Sequence, residues 1–502
     1  MSGSQSNSQG PSIQFTNFPS TTWRSHGVFA EIQPAPSNAG PGTQRALLIG
    51  QILAAGTAAP NVPVQAFSQS QVNTLCGTAS MLARMYAKYA AQDQYGEVWL
   101  LPLSDNGAGV QAAGTITLSG TATAAGTLPL WVAGYPIYTA VNVGDTAAVV
   151  AAAVTTQAAL LANNPCTIGN ASAIITATAR HKGLVQNAFD IRMAYLGAVG
   201  GEAIPAGITA VIVQPTAGVT NPVLTTALAN LGNMPFDALI HPYTDATSLT
   251  AIEGLLSEVT GRWAPISQIY GHAFTAFAGT LSAITTFGAG RNNKHETVLG
   301  YFDSPTPVEE AAADFGAACF RSAKVDPGLP FQELALNLLA PPIQSRFSKA
   351  NRNTLLFDGI ATFSTAQDGV CRIDRAVTTY QFAPSGAPDA SWLDTEPNFQ
   401  LMLFVRSLVN TLSNNFGRKK LVADGVRIPV GSNAASPSTV LAAANAFYIA
   451  QEAAGNVQQS DKFIANSAAT LGNVSGQVFL YLPIILAGQL RQIAALVTFS
   501  TT

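Results

Sequence analysis

Residues 354–381 read as two strands of a ribbon, and no other stretch limits the fold so tightly. Leu355, Phe357, Ala361 and Phe363 alternate with Leu356, Asp358, Ile360 and Thr362, and Asp368-Gly369 closes a loop. Residues 370–380 are rich in β-branched side chains, so the pattern predicts a hairpin. A two-stranded ribbon alone is marginal in water and exposes two rows of unpaired backbone donors and acceptors. Further strands are required to complete it. Two runs with the same alternation are Ile13-Gln14-Phe15-Thr16 and residues 493–499, where Ile493, Ala495, Val497 and Phe499 share a face. They either return within one molecule or arrive from neighbouring copies by strand addition, which uses backbone hydrogen bonds and needs no special side chains. On this reading Ile13, Phe15, Leu355, Phe357, Ile373, Val377, Tyr380, Ile493, Val497 and Phe499 lie in the pairing strands.

Around this ribbon the chain divides by texture. Apart from Met1 and Pro11, residues 1–12 are Ser, Gly, Gln and Asn, a composition that does not bury enough apolar surface to offset ordering. Residues 27–32 read as an extended piece, 45–51 as a buried strand, 78–89 as a helix with Met81, Leu82, Met85 and Tyr89 at helical spacing, and 99–103 as a strand. From residue 108 to 195, short β-prone runs separated by glycine-rich turns predict a sandwich-like β domain, interrupted by one alanine-rich helix over 146–161. Strand and helix then alternate again from 208 to 326, with 208–213 as the first strand, 273–282 as a helix, and 267–270 and 284–287 as strands. That alternation predicts a layered α/β sheet. In residues 398–416, Phe399, Met402, Val405, Val409, Leu412 and Phe416 lie at three- and four-residue steps, one buried stripe of a helix that Gly417 terminates. A last helix is expected over 438–454.

With 502 residues, three or four domains are expected. Charged residues make up only 10% of the chain, against roughly a quarter in ordinary soluble domains. Such a surface repels its own copies weakly, which favours an assembled protein. A formal net charge of -3 and the lack of a long basic stripe exclude a nucleic-acid binder. No apolar run is long enough to span a bilayer, and the first residues do not read as a secretory signal. Cys76, Cys166, Cys319 and Cys371 are far apart without a CxxC pair, which predicts free thiols in a reducing compartment and no zinc site.

The catalytic sequence signatures are missing. There is no GxSxG elbow, no GxxxxGK[ST] phosphate loop, no GxGxxG after a strand and no HExxH, and no cofactor is implied. His241 ends an expected strand with Asp245 close by, the place where an α/β enzyme puts a base, although a packing histidine is the plainer reading. The trio Arg418, Lys419 and Lys420 follows the helix ending at Gly417. It either complements the negative helix terminus or contacts an acidic partner. Arg372, Asp374 and Arg375 are either solvated strand residues or fix register between copies.

Several motifs carry a resemblance. Gly369-Val370-Cys371-Arg372-Ile373-Asp374-Arg375, Thr378-Thr379-Tyr380-Gln381, Gly386-Ala387-Pro388-Asp389 and Leu393-Asp394 form one group. Arg352-Asn353-Thr354-Leu355, Asp358-Gly359-Ile360-Ala361-Thr362, Arg418-Lys419-Lys420-Leu421, Asp424-Gly425 and Gln489-Leu490-Arg491 extend it. Together they resemble the tail sheath proteins of contractile bacteriophages of the Mu-like kind, in order and over nearly the whole chain. The resemblance implies an α/β and α+β multidomain fold. Its parts are an N-terminal arm (1–26), a layered α/β core of subtilase-like topology without a catalytic site (27–107 and 196–345), an inserted protruding β domain (108–195), and a C-terminal sheath core domain with interlocking strands and an arm (346–502). The compositional break and inserted position of 108–195 predict a peripheral block whose deletion leaves a soluble chain that still polymerises. The resemblance also implies a structural subunit, not an enzyme, that forms stacked hexameric rings around a tail tube and contracts to drive the tube through the host envelope. The implied partners are further copies, the tube, which the trio would face, and the baseplate and tail terminator, with no nucleic acid and no membrane insertion. The implied place is the virion tail, assembled in the host bacterial cytoplasm. Alternatives are the sheath of a phage-derived injection particle and a degenerate α/β hydrolase.

Overall fold

A computed structural model describes residues 44–429 and 431–499. Ile13, Phe15 and the expected extended piece at 27–32 lie outside the described residues. The first strand among the described residues is β1 (Arg45–Gln51), whose RALLIGQ sequence is buried from Ala46 onward. A strand buried on both faces belongs in the middle of a parallel sheet. There follow β2 (Val64–Ala66), α1 (Gln69–Cys76), α2 (Met81–Gln92) and β3 (Glu97–Leu103), and β3 pairs with β1 in parallel with Arg45 opposite Glu97. That register brings the Arg45 and Glu97 side chains into an ion pair at 2.7 Å.

The chain then leaves the layer for β4 (Gln111–Gly120), β5 (Gly126–Val132), β6 (Tyr135–Val141), α3 (Ala147–Ala159), β7 (Cys166–Ala171), β8 (Ile174–Lys182), β9 (Ile191–Met193) and β10 (Ile208–Thr216). Two sheets, ordered β10-β4-β8-β7 and β6-β5-β9, enclose a core separate from that of the rest of the chain. The run 208–213, expected to reopen the α/β layer, pairs antiparallel with β4 instead. A bridge between Val110 and Val219 closes the excursion. The β block thus extends past 195 to 219: β10 is β-prone on either reading, and only its partner reveals its sheet.

Back in the layer come α4 (Thr225–Ala229), β11 (Ala238–Ile240), α5 (Ala246–Leu255), β12 (His272–Ala278), α6 (Leu281–Ala289), β13 (Glu296–Tyr301) and α7 (Val308–Val325). The sheet order is β13-β12-β11-β1-β3-β2, parallel except for β2. The helix expected at 273–282 is β12, whose alanines sit between aromatics in a buried strand. The strand expected at 284–287 is α6, started by Thr280, whose Oγ1 accepts from Ala283 N at 3.3 Å. Residues 267–270 leave a turn as irregular chain with positive φ at Gln268 (50°) and Tyr270 (63°), and do not form a strand. Helix α7 packs on α2, β11 and β12. A Cβ at Gly316 would lie 2.7 Å from Ile240 and 3.1 Å from Phe274, so only glycine allows α7 to approach the sheet this closely.

The C-terminal part contains β14 (Ala335–Leu336), α8 (Lys349–Phe357), β15 (Thr362–Thr365), β16 (Cys371–Arg375), α9 (Glu396–Phe416), β17 (Lys420–Leu421), β18 (Ala434–Ala435), α10 (Pro437–Ala453), α11 (Ser460–Asn466), β19 (Ala468–Leu471) and β20 (Val478–Tyr481). It does not build a core of its own. Phe399 of α9 sits among Phe274 (5.9 Å), Phe320 and Phe331 (both 6.0 Å), so one continuous core joins the α/β layer to this part. The fold is a mixed α/β multidomain arrangement.

Candidate assembly surface

The ribbon is shorter than its sequence suggests. Residues 349–357 form α8, capped by Ser348, whose Oγ accepts from Asn351 N at 3.1 Å. Leu355 and Phe357 are therefore helical and do not pair as strand residues. Leu355 is buried with Ile284, Val298 and Ile360, and Phe357 is 77% exposed. Their alternation is coincidental: the cap that starts the helix lies upstream of the alternating run. The hairpin proper is β15 and β16, in antiparallel register, with Gly369 at φ +81° in its turn and the Asp368 carboxylate accepting from Val370 N and from Arg372.

β14 occupies the second side of β16, pairing Ala335 with Arg372 and Leu336 with Cys371. The hairpin is thus already a three-stranded sheet, joined to the layer where Ala361 bridges Leu299 of β13. Ile373 and Val377 are fully buried and Tyr380 nearly so, its hydroxyl donating to Asp389 at 2.7 Å. Val377 lies beyond the strand, in an isolated bridge to Asp394. These three side chains belong to the chain's own interior. Arg372, Asp374 and Arg375 are all paired internally, with Asp368, Arg352 and Asp394.

The last described residues are organised around Arg491. Its Nη2 donates to Glu396 Oε2 at 2.8 Å and lies 3.1 Å from Asp394 Oδ1, and Asp394 also accepts both ends of the Arg375 guanidinium at 2.8 and 2.9 Å. Glu396, in the first turn of α9, is wholly buried, and its Oε1 accepts from Phe331 N at 2.7 Å. Burial pushes its carboxyl up, opposed by Arg491. The network ties the chain at 491 to the hairpin and to α9. Beyond it, residues 492–499 have no secondary structure, and Ile493 (82%), Leu496 (93%), Val497 (81%) and Phe499 (87%) are exposed. Within the chain this run pairs with no strand among the described residues.

Arg418, Lys419 and Lys420 are exposed at the end of α9 and the start of β17. Among the described residues none of the three has a carboxylate within ion-pair distance, and Lys419 Nζ lies 5.1 Å over the Phe416 ring. Among the described residues the trio is an exposed cationic patch without an ion-pair partner.

No catalytic constellation forms at His241. The ring is fully buried, neither nitrogen has a side-chain hydrogen-bond partner among the described residues, and burial lowers its pKa to about 4. Asp245 instead caps α5, accepting from Ser248 N at 3.1 Å, and takes a hydrogen bond from Asn221. Among the described residues no His, Cys, Asp and Glu group is arranged to hold a metal, and no helix is long and apolar enough to cross a membrane. All four cysteines are free and buried.

The family described as phage tail sheath protein central domain matches residues 217–379, beginning one residue after β10 ends. A Mu-like prophage tail sheath protein of Haemophilus influenzae is 33% identical over 454 residues, 90% of this chain and 92% of that protein. Among solved structures, a sheath tail protein from Desulfitobacterium hafniense is similar at 10% identity and TM-score 0.45, covering 92% of this chain and 100% of that one. The helical sheath of the anti-feeding prophage in its contracted state is similar at 10% identity and TM-score 0.43, covering 97% and 99%. At the identity and coverage of the Haemophilus relative, the chain belongs to the Mu-like phage tail sheath protein family.

Proposed function

We propose that this chain is the repeating subunit of a contractile tail sheath, which polymerises as stacked hexameric rings around the tail tube. On triggering by the baseplate, the stack shortens and drives the tube through the host envelope. The observation that carries this reading is the run 492–499: four large apolar side chains exposed in an unpaired segment, rooted on the core by Arg491. An apolar segment of this kind is satisfied by adding to a sheet edge of another copy, where backbone bonds persist while neighbours rotate. The edges on offer in this sheet are the outer sides of β14 and β15, since β16 is paired on both sides; Ile13 and Phe15 would add in the same way.

The exposed trio faces an acidic tube in this arrangement, and a tail terminator caps the stack. Assembly takes place in the host bacterial cytoplasm and the product resides in the virion tail. The α/β layer has a subtilase-like topology without a catalytic set, and we assign the subunit no enzymatic activity; the work of contraction comes from the free-energy difference between two packings. Truncation after Gln492 tests the reading, because it removes the arm and spares its root. The truncated subunit should keep its fold by circular dichroism and form no tubes in negative-stain images. Normal tubes from the truncated chain would reject the strand-exchange arrangement.

A further inference from the structure

In a parallel α/β sheet, ligands bind outside the carboxyl ends of the strands where the strand order reverses. Here the order reverses between β1 and β11, and the carboxyl ends of β1 and its other neighbour β3 lie next to that point. The helix N-terminus facing it, that of α2, has its orphan N–H groups available for an acceptor. The α2 N-terminus and the carboxyl ends of β1 and β3 are taken up by the inserted β domain. His181, at the end of β8 and 1% exposed, accepts from Met81 N at 2.9 Å through Nε2. Its Nδ1 lies 3.0 Å from Asp105 Oδ1, in the loop after β3. A backbone N–H only donates, so Nε2 bears the lone pair and Nδ1 the hydrogen that Asp105 receives.

The neighbouring groups complete the joint. Gln51, the last residue of β1, donates to Asp105 Oδ1 at 2.6 Å and to the Lys182 carbonyl at 2.7 Å. Asp105 Oδ2 accepts from Lys182 N at 3.1 Å. Elsewhere along the same boundary, Tyr135 donates to Glu310 at 3.0 Å, and Glu310 with Glu309 brackets the buried Arg84 of α2 at 2.8 and 2.6 Å. We propose that the inserted β domain is held as an intramolecular ligand of the α/β layer, with the His181 imidazole seated at the N-terminus of α2 and on Asp105 in the crevice at the carboxyl ends of β1 and β3. The site has the chemistry of an imidazole receptor: one backbone donor and one carboxylate acceptor, placed for the two ring nitrogens.

The experiment is scanning calorimetry of the full chain, the His181→Ala variant and the His181→Gln variant, each with and without free imidazole. The wild type should unfold with β domain and α/β layer in one transition. His181→Ala should split this into two, and imidazole, refilling the receptor, should merge them again. Gln, which offers an acceptor oxygen and a donor nitrogen without the rigid ring that sets their positions, should fall between. If the Ala variant does not fold, its refolding should be recovered by imidazole and not by an equal concentration of pyrrole, which lacks the acceptor nitrogen. A single unshifted transition in His181→Ala overturns the proposal, as does a loss that imidazole fails to reverse.

Discussion

Arg491 Nη2 donates to Glu396 Oε2 at 2.8 Å, across 95 residues of sequence, and Glu396 is completely buried. Removing one member of a buried ion pair strands the other, so Arg491→Ala should cost about 3 kcal/mol of stability. Glu396→Gln in the same chain removes the stranded charge and should recover most of that loss. A double-mutant cycle by urea unfolding reads the coupling directly. Additivity of the two changes would mean that the arm's root is held by something other than this contact.

The basic trio gives a prediction separable from folding. Arg418, Lys419 and Lys420 are exposed and unpaired among the described residues, and exposed charges contribute little to stability. Changing all three to Glu should leave the unfolding free energy within about 1.5 kcal/mol of wild type, about 0.5 kcal/mol for each surface change, while abolishing assembly on purified tube at low salt. Wild-type co-assembly by this variant would assign the trio to the end of α9 alone.

Legibility in the sequence followed locality. β1 was readable to the residue because an apolar run flanked by Arg45 and Gln51 has one use, a strand buried on both faces. The swap of strand and helix at β12 and α6 arose because alanine and threonine report neither period; Thr280 was the only local sign of the helix start. At the ribbon, Asp368-Gly369 marked the turn correctly, whereas Leu355 and Phe357 were misassigned because Ser348, the cap of α8, lies outside the alternating run. The contacts that organise the surface, Arg491 with Glu396 and His181 with Met81, join residues 95 and 100 positions apart. No periodicity or spacing rule reaches that far.

Acid should weaken the fold in a defined window. His241 is buried and neutral, its pKa lowered from 6.5 to about 4 by burial. The unfolded chain therefore takes up this proton at higher pH than the native one, so stability falls as pH drops through 6.5 and levels off near 4. This single group accounts for a loss of about 3 kcal/mol across the window. His272, also buried, is lowered by burial and by His295 and acts with the same sign. Urea midpoints measured from pH 7.5 to 4 should show that slope, and His241→Leu should flatten it. An unchanged slope in His241→Leu would show that the ring is hydrated or protonated in the native state.

The inserted β block offers the last test, because the fold changes what its removal should do. Cutting out residues 108–195 on the sequence boundaries leaves β10 without β4, its partner from Ile208 to Thr216, so a strand with one apolar face remains attached and unpaired. The same cut takes His181 from Met81 N and Asp105, and Tyr135 from Glu310. Each buried polar group left unpaired costs about 1–3 kcal/mol. Joining residue 109 to residue 220 through a short Gly-Ser linker, across the ends already bridged by Val110 and Val219, removes β10 cleanly but leaves those polar groups open. The 108–195 deletion should therefore be insoluble. The wider deletion should be soluble at best with a strongly lowered unfolding midpoint, recovered in part by imidazole. Wild-type solubility and midpoint for the 108–195 deletion would show the block to be an independent guest, with its polar ties to the layer contributing nothing to the fold.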